Sequence, residues 1–177
     1  MKKISIAVLL SVFVASPVLA GNTYVGVNVG SNKITDSTPG SSAIDASTGF
    51  GILGGYSFNE NVAAEAAYYN LGDATLHGTG GVTTALTGSV ISVSAVGSLP
   101  LNKDFSLMAK LGYATSSISI PTASGNTADF IYGVGAQYNI NKMVDVRLNY
   151  DMFKAGGGDF VTIFNSALLS VGAVFKM

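Results

Sequence analysis

The sequence predicts an all-β chain folded as an eight-stranded antiparallel up-and-down transmembrane β-barrel. Three observations predict it. Eight segments alternate apolar with small or polar side chains at period two. The connections between them alternate short and long. The alternation also runs to the carboxyl terminus, where Leu169, Val171, Phe175 and Met177 share one face and Ser170, Gly172 and Lys176 share the other, beside Leu168 and Val174. A chain terminus usually frays into water, whereas the last strand of a closed barrel must pair with its first.

The segments follow in order. Residues 22–32 place Val25, Val27 and Val29 outward, against Tyr24, Gly26, Asn28 and Gly30. Residues 48–58 point Phe50, Ile52, Tyr56 and Phe58 out, and a polar turn at 59–61 leads to 62–72. There Val62, Ala64, Ala66 and Tyr68 oppose Ala63, Glu65, Ala67 and Tyr69. Residues 86–99 turn Ile91, Val93, Ala95 and Leu99 outward and Ser92, Ser94, Val96 and Ser98 inward. After a turn at 100–104, residues 105–118 set Phe105, Leu107, Ala109, Leu111 and Tyr113 against Ser106, Met108, Lys110 and Gly112. Residues 128–140 set Phe130, Tyr132, Val134, Ala136, Tyr138 and Ile140 against Gly133, Gly135, Gln137 and Asn139. A turn at 141–143 precedes 144–154, with Val144, Val146, Leu148, Tyr150 and Met152 against Asp145, Arg147, Asn149 and Asp151. The stripe at 168–177 is the eighth.

The other four connections, near 33–47, 73–85, 119–127 and 155–163, are long and rich in Gly, Ser, Thr and Asp. Short periplasmic turns and longer external loops are the pattern of outer-membrane barrels. It places both termini at the periplasmic end.

Composition agrees. Only 11% of residues are charged against 48% hydrophobic, with 22 glycines and no cysteine. No stretch beyond the first twenty residues approaches the roughly 20 apolar residues of a membrane helix. Residues 1–20 read as a cleaved export signal: Lys2 and Lys3, an apolar run from Ile4 to Val14, and a small-residue site before Gly21. Residues 21–177 then form one barrel domain. Losing Lys2 and Lys3 leaves seven of the nine basic residues against ten acidic ones. With no Arg/Lys cluster, nucleic acid is excluded as a partner. A soluble barrel also alternates, but its water-facing side carries interspersed Lys and Glu. Here the polar faces are mostly Gly, Ser and Ala with isolated charges. Tyr56, Phe58, Phe105, Tyr138, Ile140 and Phe175 gather near the short-turn strand ends, as an interfacial girdle does.

Several short motifs resemble the transmembrane domain of outer membrane protein A. Residues 61–72 (NVAAEAAYYNLG) are similar to its third strand, 54–56 (GGY) to its second, 110–112 (KLG) to its fifth, 146–150 (VRLNY) to its seventh and 169–172 (LSVG) to its eighth. The weight lies in their order and spacing over the whole mature chain. This OmpA-like, opacity-type resemblance implies a monomer in the cell outer membrane. Lipid and lipopolysaccharide would surround it, and the barrel-assembly machinery would insert it. Leu169, Val171, Phe175 and Met177 would form the C-terminal assembly signal, although the family usually ends its barrel in an aromatic residue. No counterpart of the peptidoglycan-binding domain of full-length members is expected after the barrel, so the resemblance implies no cell-wall tether.

The inward polar residues are the candidate site: Glu65, Arg147, Lys110, Gln137 and Asn28, with Tyr69 and Asn149 nearby. An eight-stranded barrel is just wide enough for side chains to fill it, and charges confined there must pair. Glu65 with Arg147 is the expected pair, with Lys110 sharing the carboxylate. By resemblance, the family keeps its interior ion-pair network and gate here. Gln137 and Val96 stand where it often has another acid and base, so a thinner network is expected.

Catalysis finds little support. His77, the only histidine, falls in an expected long loop without an oriented nucleophile. Asp36, Asp45, Asp73 and Asp159 lack metal-ligand clustering. The glycines at 156–158 precede no Lys-Ser/Thr and no helix. No enzyme activity, metal or cofactor is expected. The expected role is envelope integrity with a largely plugged, mixed-charge interior. The alternative is a low-conductance porin for small solutes gated by Glu65–Arg147. An adhesin or a lipid-modifying barrel enzyme ranks below these.

Overall fold

The computed structural model describes residues 22–35, 47–77, 83–120, 123–156 and 163–177. These form eight strands: β1 (Thr23–Thr35), β2 (Ser47–Ser57), β3 (Val62–His77), β4 (Thr83–Pro100), β5 (Phe105–Ile120), β6 (Ala123–Asn139), β7 (Val144–Gly156) and β8 (Ile163–Lys176). Each strand pairs antiparallel with its sequence neighbours, and β1 pairs with β8 to close the barrel. Along that seam the register runs from Tyr24 opposite Lys176 to Thr35 opposite Asn165. The Met177 N–H donates to the Thr23 carbonyl at 2.9 Å. Closure removes the free edge that an apolar terminal strand would otherwise expose. The expected export signal at 1–20 lies outside the described residues.

The two faces of the wall separate sharply. Adjacent Phe130 and Ile131 are 64% and 0% exposed. Val27, Phe50, Ile91, Val93, Leu111, Val134, Leu148 and Val171 all stand exposed on the outside. So large an apolar surface is intolerable in water for a monomer and suits hydrocarbon. Phe58, Tyr138, Ile140 and Phe175 are exposed toward the short-turn end, while Tyr56 and Phe105 are half-buried there. Phe50, Tyr113, Phe130 and Tyr132 form a second outward aromatic band nearer the long connections. Eight residues separate Phe50 from Phe58 and Phe130 from Tyr138, roughly 27 Å of strand. At a barrel tilt near 40° the bands then stand about 21 Å apart, close to the apolar height of an outer-membrane barrel.

One device makes all three short turns. Asn59, Asn102 and Asn141 each accept, through Oδ1, the N–H groups two and three residues ahead, at 2.8–2.9 Å. The side chain thereby mimics a backbone turn. Each turn also carries backbone bonds of one form, such as Leu101 N–H to the Phe105 carbonyl at 2.9 Å.

The strands run further than their alternation indicated. The long connections expected at 73–85 and 119–127 are largely strand, because β3 continues to His77 and β5–β6 pair to Ile120 opposite Ala123. His77 therefore ends a strand, with its backbone opposite Thr83, rather than sitting in a long loop. Polar Ser, Thr and Gly extend readily here without marking an apolar face, so period two gives no sign of them. Asp36, Asp45, Asp159 and residues 157–158 lie outside the described residues. A register shift between Asn70 and Asp73 also interrupts β3. Gly72 sits there at φ +74°, where a Cβ would strike the Thr48 carbonyl oxygen. Only glycine adopts that backbone at low cost.

Candidate functional site

From the short turns upward, the inward side chains fill the lumen in layers. The lowest polar layer holds Asn139, Asp145 and Lys176. Lys176 Nζ lies 2.9 Å from Asp145 Oδ1, and Gln137 Nε2 donates to Asp145 Oδ2 at 2.8 Å. Gln137 also accepts from Arg147 Nε at 2.8 Å, which ties this layer to the next.

That next layer centres on Glu65, buried at 3% exposure. Its Oε2 takes Arg147 Nη1 at 2.8 Å and its Oε1 takes Lys110 Nζ at 3.0 Å. The Tyr24 hydroxyl donates to Oε2 at 3.2 Å, and its ring lies under the Arg147 guanidinium at 4.7 Å. That stacking adds a cation–π attraction. Gly55 makes room for it, since a Cβ there would collide with the Tyr24 ring. Lys110 also reaches Asp151 Oδ2 and the Tyr69 hydroxyl, each at 3.5 Å. Two cations on one carboxylate, with a second acid beside them, satisfy charges that would each cost several kcal/mol if buried alone.

The structure thus brings Glu65, Arg147, Lys110 and Gln137 together, with Tyr69 at the margin. Asn28 lies apart: it is buried against Gly51, and its Nδ2 has no partner among the described residues. Val96 is buried opposite Lys110 and adds no charge. The network reaches further than expected, because Asp145, Asp151, Lys176 and Tyr24 join it. Each carried the inward phase in sequence. What sequence could not supply was the distance across the lumen, set by barrel closure and register.

Above the charges lies a largely apolar layer of which the alternation singles out only Leu168. Leu71, Val90, Ala114, Ile131, Phe153 and Leu168, from six strands, are all buried in one cluster. These residues depart from the expectation of inward faces made mostly of Gly, Ser and Ala, although Ser47, Ser116 and Ser166 are buried at the same end. A cavity of about 530 Å³ opens at the short-turn end and reaches Arg147, Tyr24 and Val174. Among the described residues no group of three His, Cys, Asp or Glu side chains is placed to hold a metal.

Comparison with known proteins agrees with this architecture. A family model described as the outer membrane protein beta-barrel domain matches residues 5–175. No curated protein sequence matches the chain. The fold is similar to that of the attachment invasion locus protein of Yersinia pestis, at 13% identity and a TM-score of 0.60, covering 88% of this chain and 98% of that one. Neisserial surface protein A gives 20% identity and 0.58, over 88% and 97%. The N-terminal barrel of Pseudomonas aeruginosa OprF gives 14% and 0.55, over 88% and 98%. At such identities the likeness shows the fold alone.

Proposed function

We propose, for a chain that belongs to the outer membrane protein beta-barrel domain family and resides in the outer membrane, a structural role: a closed barrel that supports envelope integrity and passes no steady flow of solute. The observation that carries this reading is the layered lumen. Its buried charges are spent on one another, and an apolar layer lies above them. Water that enters the lower cavity meets a level where large apolar side chains predominate, and apolar constrictions block ions by dewetting. The reading includes no catalysis. Residues 1–20 serve as the export signal, and Leu169, Val171, Phe175 and Met177 as the stripe handed to the barrel-assembly machinery. Lipid and lipopolysaccharide face the outer surface of a monomer.

Purified full-length protein in planar bilayers tests this. Silent membranes under an applied voltage are the expected result, and stepwise steady currents would overturn the reading.

A second reading, a low-conductance pore gated by Glu65–Arg147, draws on the cavity that reaches Arg147 from the short-turn end. It expects Arg147→Ala to raise conductance.

A further inference from the structure

At the long-connection end the wall between β6 and β7 is lapped rather than butted. Among the described residues the β6–β7 ladder runs from Asn139 opposite Asp145 to Tyr132 opposite Met152 and stops. On either side the ladders continue: β5–β6 to Ile120 opposite Ala123, and β7–β8 to Gly156 opposite Ile163. Beyond Met152, β7 leaves β6 and comes within contact of β5, two strands away.

Side-chain phase shows which strand lies inside. Asp129 and Ser116 carry the inward phase of β6 and β5, and Lys154 carries the outward phase of β7. In a butted wall an inward and an outward residue of adjacent strands lie on opposite faces and cannot meet. Here Lys154 Nζ lies 3.0 Å from Asp129 Oδ2, and Ser116 Oγ donates to the Lys154 carbonyl at 3.0 Å. Phe153, on the other face of β7, is buried in the apolar layer. The second break, where the β2–β3 ladder stops at Phe50 opposite Asn70, is different. Ser47 Oγ donates to the Leu71 carbonyl at 2.6 Å and Gly72 lies against Thr48, so that seam is shut by close backbone contact.

We infer that the outer part of β7 is a strap, tucked inside the barrel wall and latched by Lys154 to Asp129 and Ser116, that closes the lumen over the apolar layer. This deepens the closed-barrel reading and rests on it. The Lys154 side chain is 53% exposed, so the ion pair is weak and screened by salt. The strap is therefore releasable.

The chain has no cysteine, so paired thiols report without background. Asp129→Cys/Lys154→Cys, folded in lipid vesicles and treated with a short bifunctional thiosulfonate, should cross-link in most molecules. Ala136→Cys/Asn149→Cys, on opposite faces of the butted ladder, should not. Equal yields in the two pairs would overturn the strap. In planar bilayers Lys154→Glu, which breaks the latch, should show brief openings that the silent wild type does not. Bridging the thiols introduced at positions 129 and 154 should abolish openings, and reduction should restore them. Openings unchanged by Lys154→Glu and by the bridge would also overturn the proposal. Should Lys154→Glu fail to fold, seen as loss of heat-dependent gel mobility, the cross-link yields still decide. A wild-type chain that conducts steadily, while the double variant cross-links and is silenced by the bridge, would sink the closed-barrel reading and sustain the strap.

Discussion

The two ends of the lumen are filled by opposite means. Toward the short turns, Glu65, Arg147, Lys110, Gln137 and Asp145 hold one another at hydrogen-bond distance beside a water-accessible cavity. Toward the long connections, Leu71, Val90, Ile131, Phe153 and Leu168 pack in one apolar cluster. Charge pairing is directional and fixes which strands face each other across the barrel. Apolar packing is indifferent to direction and excludes water. The lower half therefore specifies geometry and the upper half seals.

The largest expected effect falls on the lower half. Glu65→Ala leaves the buried Arg147 without a carboxylate and Lys110 with only Asp151 at 3.5 Å, and should cost about 4 kcal/mol. Urea titration of the folded, heat-shifted gel band in lipid vesicles measures it. Phe153→Ala, in the upper half, leaves a void in the apolar cluster and should cost about 3 kcal/mol in the same titration. If Glu65→Ala proves milder than Phe153→Ala, the division of labour is misplaced.

Much of this organisation was legible in the sequence, and the failures have physical causes. The facing of Val25 to Val29, Ile91 to Ala95 and Val144 to Tyr150 follows from period two, because lipid on one side and a narrow lumen on the other punish any slip in phase. Glu65, Lys110 and Arg147 were visible as rare inward charges. Asp145 and Asp151 had the same phase, but their partners depend on register across the barrel. Most of the apolar layer was missed for local reasons. Ile131 lies in a continuous apolar run between Phe130 and Tyr132, Phe153 follows the outward Met152, and Leu71 stands beside the register shift at Asn70. The Asn device, by contrast, was present in plain view. Phe58-Asn59, Leu101-Asn102 and Ile140-Asn141 share an apolar-Asn pair at each short turn.

Those turns give a smaller prediction. Asn102→Ala removes two side-chain bonds at the surface and should cost about 1 kcal/mol, with folding into vesicles slowed rather than lost. Smallest is Lys176→Ala. Asp145 is fully buried, but its lysine partner is 40% exposed, so water replaces much of the interaction. A change below about 1 kcal/mol, vanishing in high salt, is expected.

Planar-bilayer recording of wild-type protein beside Arg147→Ala decides where the barrier to flow lies. With the seal in the apolar half, both should stay silent, because the layer around Phe153 and Ile131 is untouched. A silent wild type with a conducting Arg147→Ala would contradict this and move the barrier down to the ion pair.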